Sequence, residues 1–383
     1  MITHQSQTPY WRLSGFYFFY FASLGALLPY WSLYLKYLDY DAAAIGGLMA
    51  IIMATKIISP NIWGWIADHT GKRMAIVRLG SLLAALSFAG VFWQEGFWWL
   101  VVVMIVFSFF WNAALPQFEA TTFNHLRDQT HRYSSIRLWG SVGFIVAVWC
   151  LGYFLDGEQI RFLPVVLILL FTGIWLSSLV VPEEAAGHLA LDHEPLRKVL
   201  MRPHVMGLLL VCFLMQASHG PYYTFYSIYM QDYHYSLGMI GGLWAIGVLA
   251  EVAVFMVMHR LVPLFGLRNL LMLSLVLAAI RWVVIGFLPE NLTVMIFAQL
   301  LHAASFGVYH AASIQLIHQY FTGKHQGKGQ ALYSSLSFGA GGALGSFLSG
   351  YTYDSLGPDI MFYGAAFACV LALGVTWKWV VDR

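Results

Sequence analysis

The sequence predicts an all-α integral membrane protein with twelve spanning helices, and three observations carry that reading. Of 383 residues, 60% are apolar and only 10% charged, where a soluble globule carries about a quarter charged residues. Apolar runs of the ~20 residues needed to cross a bilayer recur along the whole chain between short polar breaks. The charges left in those breaks segregate by sign on alternate sides. This composition excludes cytoplasmic enzymes, nucleic-acid binders and disordered tails, none of which can hide so much apolar surface. A net charge of +2 implies no polyanionic partner. Cys150, Cys212 and Cys369 stand singly in apolar stretches, so they offer neither a disulfide framework nor metal-ligand spacing and are expected as small core residues.

In chain order the spans are 10–35, 42–66, 74–94, 97–124, 133–155, 161–181, 204–230, 238–259, 269–288, 291–317, 329–352 and 358–380. Stretches such as Trp98 to Phe110 are apolar on every face, which excludes the ~10-residue alternation of a β-barrel strand. The first span lacks a basic leader and a small-residue cleavage site, so it is expected to remain as an anchor. Loop charge sets orientation. With both termini inside, Arg12, Lys72, Arg73, Arg127, Arg132, Arg197, Lys198, Arg202, Arg260, Arg268, Lys324, Lys328, Lys378 and Arg383 fall on the cytoplasmic side; Lys36 and Arg161 alone fall outside. A multi-pass protein of a bacterial-type inner membrane is therefore expected, with the lipid bilayer as its medium.

A polar linker at 182–203, carrying Glu183, Glu184, Asp192, Glu194, Arg197 and Lys198, separates a bundle at 1–181 from a bundle at 204–383. The halves repeat. Pro29-Tyr30 and Ile45-Gly46-Gly47-Leu48 recur as Pro221-Tyr222 and Ile240-Gly241-Gly242-Leu243, and Tyr133-Ser134-Ser135-Ile136 returns as Tyr333-Ser334-Ser335-Leu336. Parallel six-helix repeats with a binding site near the midplane are the architecture of secondary transporters.

Charges inside spans are functional candidates, because an ionisable group in hydrocarbon costs several kcal/mol. Arg78, one turn from its loop, is expected to snorkel or to serve a structural role. Glu119 and Arg137 sit ~6–9 Å deep on adjacent spans and can pair. Lys56 lies ~15 Å deep, beyond the reach of its ~6 Å side chain to water, so it should line a wet cavity or pair with Glu119 or a carbonyl. Glu251, Arg281 and His302 fall at mid-depth on consecutive spans eight, nine and ten. If Glu251 faces Arg281, its ionisation costs little and its proton can be coupled to substrate entry. His219-Gly220-Pro221 is expected to interrupt span seven and open carbonyls to a ligand or water. Gly25 to Pro29 is expected to bend span one in the same way. Tyr223 and its tyrosine neighbours could stack on a flat substrate. His310 and His318 are expected to be polar lining.

The turn after span two reads Gly64-Trp65-Ile66-Ala67-Asp68-His69-Thr70-Gly71-Lys72-Arg73. It resembles the major facilitator superfamily signature Gly-x-x-x-Asp-x-x-Gly-Arg/Lys-Arg/Lys, and that resemblance implies a cytoplasmic latch formed by Gly64, Asp68, Gly71, Lys72 and Arg73. Asp68 should accept from a neighbouring helix N-terminus and pair with a cation. The matching hairpin near His259 to Arg268 keeps basic residues but has no acid, so a single latch is expected. Arg137-Leu138-Trp139-Gly140-Ser141 and Gly247-Val248-Leu249-Ala250-Glu251-Val252 are similar to the lactose permeases and, along the whole length, to the 3-phenylpropionate permease family. Glu119 and Arg137 keep the eighteen-residue spacing of a substrate-binding pair in the lactose type. Glu251, Arg281 and His302 fall where that type places sugar binding and proton coupling. Two departures follow. Ser305 stands where the sugar permease has its proton-carrying Glu and Gln299 where it has Lys, while Phe144 replaces its sugar-stacking Trp.

The resemblance implies a major facilitator fold of two six-helix bundles related by a pseudo-twofold axis, working by alternating access as a proton-coupled symporter. Import of an aromatic carboxylate such as 3-phenylpropionate is expected, with a sugar, oligosaccharide or nucleoside as the alternative cargo and export as the alternative direction. Lys56, Arg137 and Arg281 would meet the carboxylate, Phe144, Tyr223 and His219 would line the site, and Glu251, Glu119 and His302 would couple protons. No nucleotide loop, metal spacing or nucleophile-base pair marks an enzyme. The proton gradient replaces any cofactor, the partners are the solute and protons without nucleic acid, and a monomer is expected.

Overall fold

The computed structural model describes residues 8–127, 129–184, 196–322 and 325–382. Of the loop charges named above, Asp192, Glu194, Lys324 and Arg383 lie outside the described residues. Helices account for every regular element among those described, and no strand occurs. They are α1 Tyr10–Tyr37, α2 Ala42–Thr70, α3 Arg73–Phe88, α4 Phe97–Leu126, α5 Tyr133–Phe154, α6 Leu163–Leu179, the short α7 Leu196–Leu200, α8 Pro203–Asp232, α9 Leu237–Phe265, α10 Leu267–Phe287, α11 Leu292–Leu300, α12 Tyr309–Tyr320, α13 His325–Ser334, α14 Gly342–Leu356 and α15 Pro358–Trp379. Single 3₁₀ turns precede α5 and α6 and extend α3.

Their ends follow from capping chemistry. Asp41 Oδ1 accepts from Ala44 N–H at 2.7 Å, Ser236 Oγ from Met239 N–H at 3.3 Å and Asn291 Oδ1 from Val294 N–H at 3.2 Å, so α2, α9 and α11 each begin on a short polar acceptor. Gly71 stops α2 at φ +68°, a conformation that favours glycine, and its N–H returns to the Ala67 carbonyl at 2.9 Å.

Among the described residues, eleven helices are long and apolar enough to cross a membrane. The remaining sequence span, 329–352, is divided in the structure: α13 and α14 are joined by a π-helical segment at Ser335–Gly341, and its Ser and Gly content keeps it below the others in apolarity. A second π-helical segment, Ala303–Val308, joins α11 to α12. Such segments are rare and frequently sit at functional sites. Neither Pro29 nor Pro221 breaks its helix; α1 and α8 run through both. Pro221 does free the Ala217 carbonyl, but that carbonyl meets a helix and not a ligand. A Cβ at Gly345 would lie 2.1 Å from Ala217 O, and one at Gly220 2.2 Å from the Gly345 carbonyl carbon. The expected opening is thus a close backbone crossing of α8 and α14.

The chain forms two compact units: Met1–Leu27, Ser59–Ala147 and Pro164–His188 in one, Leu28–Ile58, Val148–Leu163 and Leu189–Arg383 in the other. In the second, glycines let helices touch backbone to backbone: a Cβ on Gly46 would lie 2.6 Å from Gly350 Cα, and one on Gly241 2.2 Å from Val148 O. Lys36 Nζ donates to Asp232 at 2.5 Å, Tyr353 Oη to the same carboxylate at 2.6 Å, and Ala42 N–H to Asp354 at 3.2 Å. Cys212 and Cys369 are buried as expected, whereas Cys150 is exposed on α5.

Candidate functional site

In the first unit the hairpin signature closes on itself. Arg73 donates to Asp68 Oδ1 at 2.6 Å and to Gln117 Oε1 on α4 at 2.7 Å. Gly64 faces that same glutamine, where a Cβ would make only ordinary contact, 3.6 Å from Gln117 Nε2. Lys72 is exposed at the start of α3. The helix N-terminus expected to bind Asp68 is held by another acid: Glu183 Oε2 accepts from Met74 N–H at 2.9 Å, where the helix dipole favours an anion. Arg78 proves structural, donating to the Val181 carbonyl at 2.7 Å just past α6. The second unit repeats the device. Its hairpin has no acid of its own, yet Asp382 Oδ1 accepts from Arg268 N–H at 2.8 Å at the start of α10, so an acid does reach that hairpin, from the far end of the chain.

Glu119 and Arg137 do come together, with Oε1 and Nε 3.9 Å apart and 30% of each side chain exposed. Tyr133 donates to the same carboxylate oxygen at 3.3 Å. The guanidinium carbon lies 3.8 Å above the Phe21 ring, a cation–π contact that occupies its face. Phe144, two turns further along α5, is buried where the backbone meets Gly25 of α1.

The second unit holds a denser cluster. Arg281 is fully buried. Its Nε donates to Ala298 O at 3.0 Å, Nη1 to Ser305 Oγ at 3.1 Å and His302 Nδ1 at 3.0 Å, and Nη2 to Gln299 Oε1 at 3.2 Å. Tyr222 and Trp282 place their rings 4.3 and 4.6 Å from its guanidinium carbon. Tyr222 Oη also donates to Gln299 Oε1 at 2.9 Å. Glu251 does not face Arg281 directly, as sequence depth suggested. The His302 ring lies between them, with Nε2 3.5 Å from Glu251 Oε2. Gly247, one turn before Glu251, makes room: a Cβ there would crowd Gln299 Oε1 at 3.2 Å.

His219 is buried beside this cluster, its Nδ1 donating to Met215 O at 2.9 Å and its ring 4.9 Å from Trp282 and 5.7 Å from the half-buried Tyr223. Along the π-helical segment His302, Phe306 and His310 stack nearly parallel at 5.3 and 5.6 Å. His310 Nδ1 bonds Tyr333 Oη at 2.9 Å.

Lys56 belongs to the second unit. It is half-buried on α2 with its ammonium 3.7 Å from the Met53 sulfur, and no carboxylate pairs with it among the described residues. Its neighbour Ile57 packs on Gly339 of the π-helical segment before α14. Sequence reasoning missed Gln117, Glu183 and Asp382, each of which acts only through a distant part of the chain. Ser305 and Gln299 were visible only as departures from a pattern; in the fold both are ligands of Arg281. Among the described residues no group of acids, histidines or cysteines could hold a metal ion.

A family model described as "MFS_1 like family" matches residues 10–364. The chain is 29% identical to a probable 3-phenylpropionic acid transporter of Escherichia coli (strain K12), over 94% of this chain and 96% of that one. It is 27% identical to a maltose permease of Geobacillus stearothermophilus, over 91% and 89%. The crystal structure of the nucleoside transporter NupG superimposes with a TM-score of 0.81 at 15% identity, covering 97% of this chain and 99% of that one.

Proposed function

The chain belongs to the MFS_1 like family and is a multi-pass membrane transporter of the major facilitator type; from that premise we propose proton-coupled uptake of a small aromatic carboxylate, 3-phenylpropionate being the representative. The observation that carries this reading is Lys56. Arg281 has four of its five N–H donors committed to neutral protein acceptors, and Arg137 shares its charge with Glu119. Lys56 is the mid-span cation left to neutralise an incoming anion, and an ammonium–carboxylate bond of this kind contributes about 1.5–3 kcal/mol. The half-buried rings of Tyr223, Phe306 and Phe338 offer faces to an aromatic group. The relative named for 3-phenylpropionic acid supports the cargo, and the bias of Lys and Arg to one set of loops supports an inner-membrane protein with both termini cytoplasmic. Transport proceeds by alternating access, driven by the proton gradient without a cofactor, in a monomer.

Sugar or nucleoside cargo is the second reading. It is favoured by the Glu119–Arg137 pair, which can hold hydroxyls, and by the maltose permease relative.

Thermal unfolding of the purified protein separates the two, because a ligand that binds only the folded state raises stability by mass action. At pH 5.5, 3-phenylpropionate should raise the Tm while 3-phenylpropanol, maltose and nucleosides do not, and Lys56→Met should remove the shift. Stabilisation by maltose or a nucleoside, with none by the acid, overturns the carboxylate reading.

A further inference from the structure

An arginine can only donate hydrogen bonds. Arg281 Nη1 lies 3.0 Å from His302 Nδ1, so Nδ1 presents its lone pair and the single ring proton resides on Nε2. That is the atom facing Glu251, 3.5 Å from Oε2. A second ring proton would have to enter at Nδ1, against a guanidinium that offers nothing but N–H. Nor can the guanidinium swing aside. Ala298 O, Ser305 Oγ and Gln299 Oε1 hold three of its other four N–H groups, and Tyr222 and Trp282 lie over its carbon. The titratable and charged groups around Glu251 are His302 from the α11–α12 segment, Arg281 from α10, and Tyr222 and Tyr223 from α8. Of these, the carboxyl is the group able to gain and lose a proton without breaking the Arg281 contacts.

We propose that Arg281 is a positioning residue that fixes His302 as the neutral Nε2–H tautomer, and that the coupled proton is carried by the Glu251 carboxyl, with His302 as its hydrogen-bond donor and not as a carrier. One proton from water converts the carboxylate to the acid on one side of the cycle and returns to water on the other; no bond of the imidazole changes. The inference rests on the proton-coupled reading above, and names which member of the cluster performs the coupling.

Two readouts test it. Infrared difference spectra of the purified protein across about pH 5 to 8 need no substrate: a protonated-carboxyl band should titrate, vanish in Glu251→Gln and persist in His302→Gln, whose amide can still accept from Arg281 and donate to Glu251. Nitrogen-15 spectra should show His302 as the Nε2–H tautomer throughout that range in the native protein and as a titrating ring in Arg281→Gln. In proteoliposomes, Glu251→Gln should lose proton-driven accumulation of 3-phenylpropionate while keeping counterflow, whereas any loss in His302→Gln should fall on accumulation and counterflow alike. The proposal is overturned if His302 becomes an imidazolium, if the band survives Glu251→Gln, or if His302→Gln abolishes accumulation and spares counterflow. If both spectra are as expected but the native protein accumulates nothing, the transport reading fails and the proton assignment stands.

Discussion

Two acid–guanidinium groups lie inside this protein, and they are built differently. Glu119 and Arg137 face each other at 3.9 Å with nearly a third of each side chain exposed, helped by a single tyrosine hydroxyl. Arg281 and Glu251 never touch. A histidine stands between them, and neutral acceptors from Ala298, Ser305 and Gln299 serve the buried guanidinium. The first arrangement is a pair that water can dissolve and remake. The second is a network in which each member fixes the next, so its protonation chemistry is confined to the one group at its edge. Position in the bilayer alone does not decide how a buried charge behaves; the identity of its partners does.

The sharpest way to break this comparison is to remove each guanidinium. Arg281→Ala takes the guanidinium donor from a carbonyl, a hydroxyl and the His302 Nδ1 in the interior and should destabilise by about 3–5 kcal/mol, whereas Arg137→Ala at its part-exposed site should cost about 1 kcal/mol. Thermal unfolding in detergent reads both, and equal losses would erase the distinction. A smaller loss tests the neutral acceptors: Ser305→Ala should cost about 1–3 kcal/mol by stranding one buried donor, against about 0.5–1.5 kcal/mol for Tyr133→Phe beside Glu119. Affinity sharpens the same contrast. Lys56→Met should weaken 3-phenylpropionate binding by about 10- to 150-fold, measured by calorimetry, with the fold intact; an unchanged affinity would return Arg137 or Arg281 to the carboxylate. The smallest effects concern the helix caps, where Glu183→Gln and Asp382→Asn should each cost about 0.3–1 kcal/mol, more at low salt than at high.

Much of the scaffold was legible in the sequence, because apolar runs and loop charges act locally. Span ends fell within a few residues of Tyr10, Ala42 and Trp379 since the apolar blocks themselves end there, with Asp41 as the polar cap just before Ala42. The Glu119–Arg137 pairing was legible because both depth and adjacency can be read from residue counts. What could not be read was which polar atom meets which. Depth placed Glu251, Arg281 and His302 together, but nothing in one dimension says that the ring lies in the middle. Pro221 looked like an opening in α8, yet its freed carbonyl is covered by Gly345, 124 positions away in the chain. Asp382 and Glu183 were hidden for the same reason: each caps a helix that begins more than a hundred residues before it.

The glycine crossings in the second unit have a consequence for speed. Where Gly46 meets Gly350, the surfaces in contact are main chain, with no side chain interleaved between them. If these helices part during a transport cycle, nothing must be unthreaded, and on return there are no rotamers to be searched and frozen, a step that costs up to about 2 kcal/mol for each long side chain ordered. Lys36, Asp232 and Tyr353, and Ala42 with Asp354, supply polar fastenings beside them that have to be found again. Such a seam shuts like two smooth faces and not like a lock, so its closing rate should depend on diffusion of the helices rather than on side-chain rearrangement.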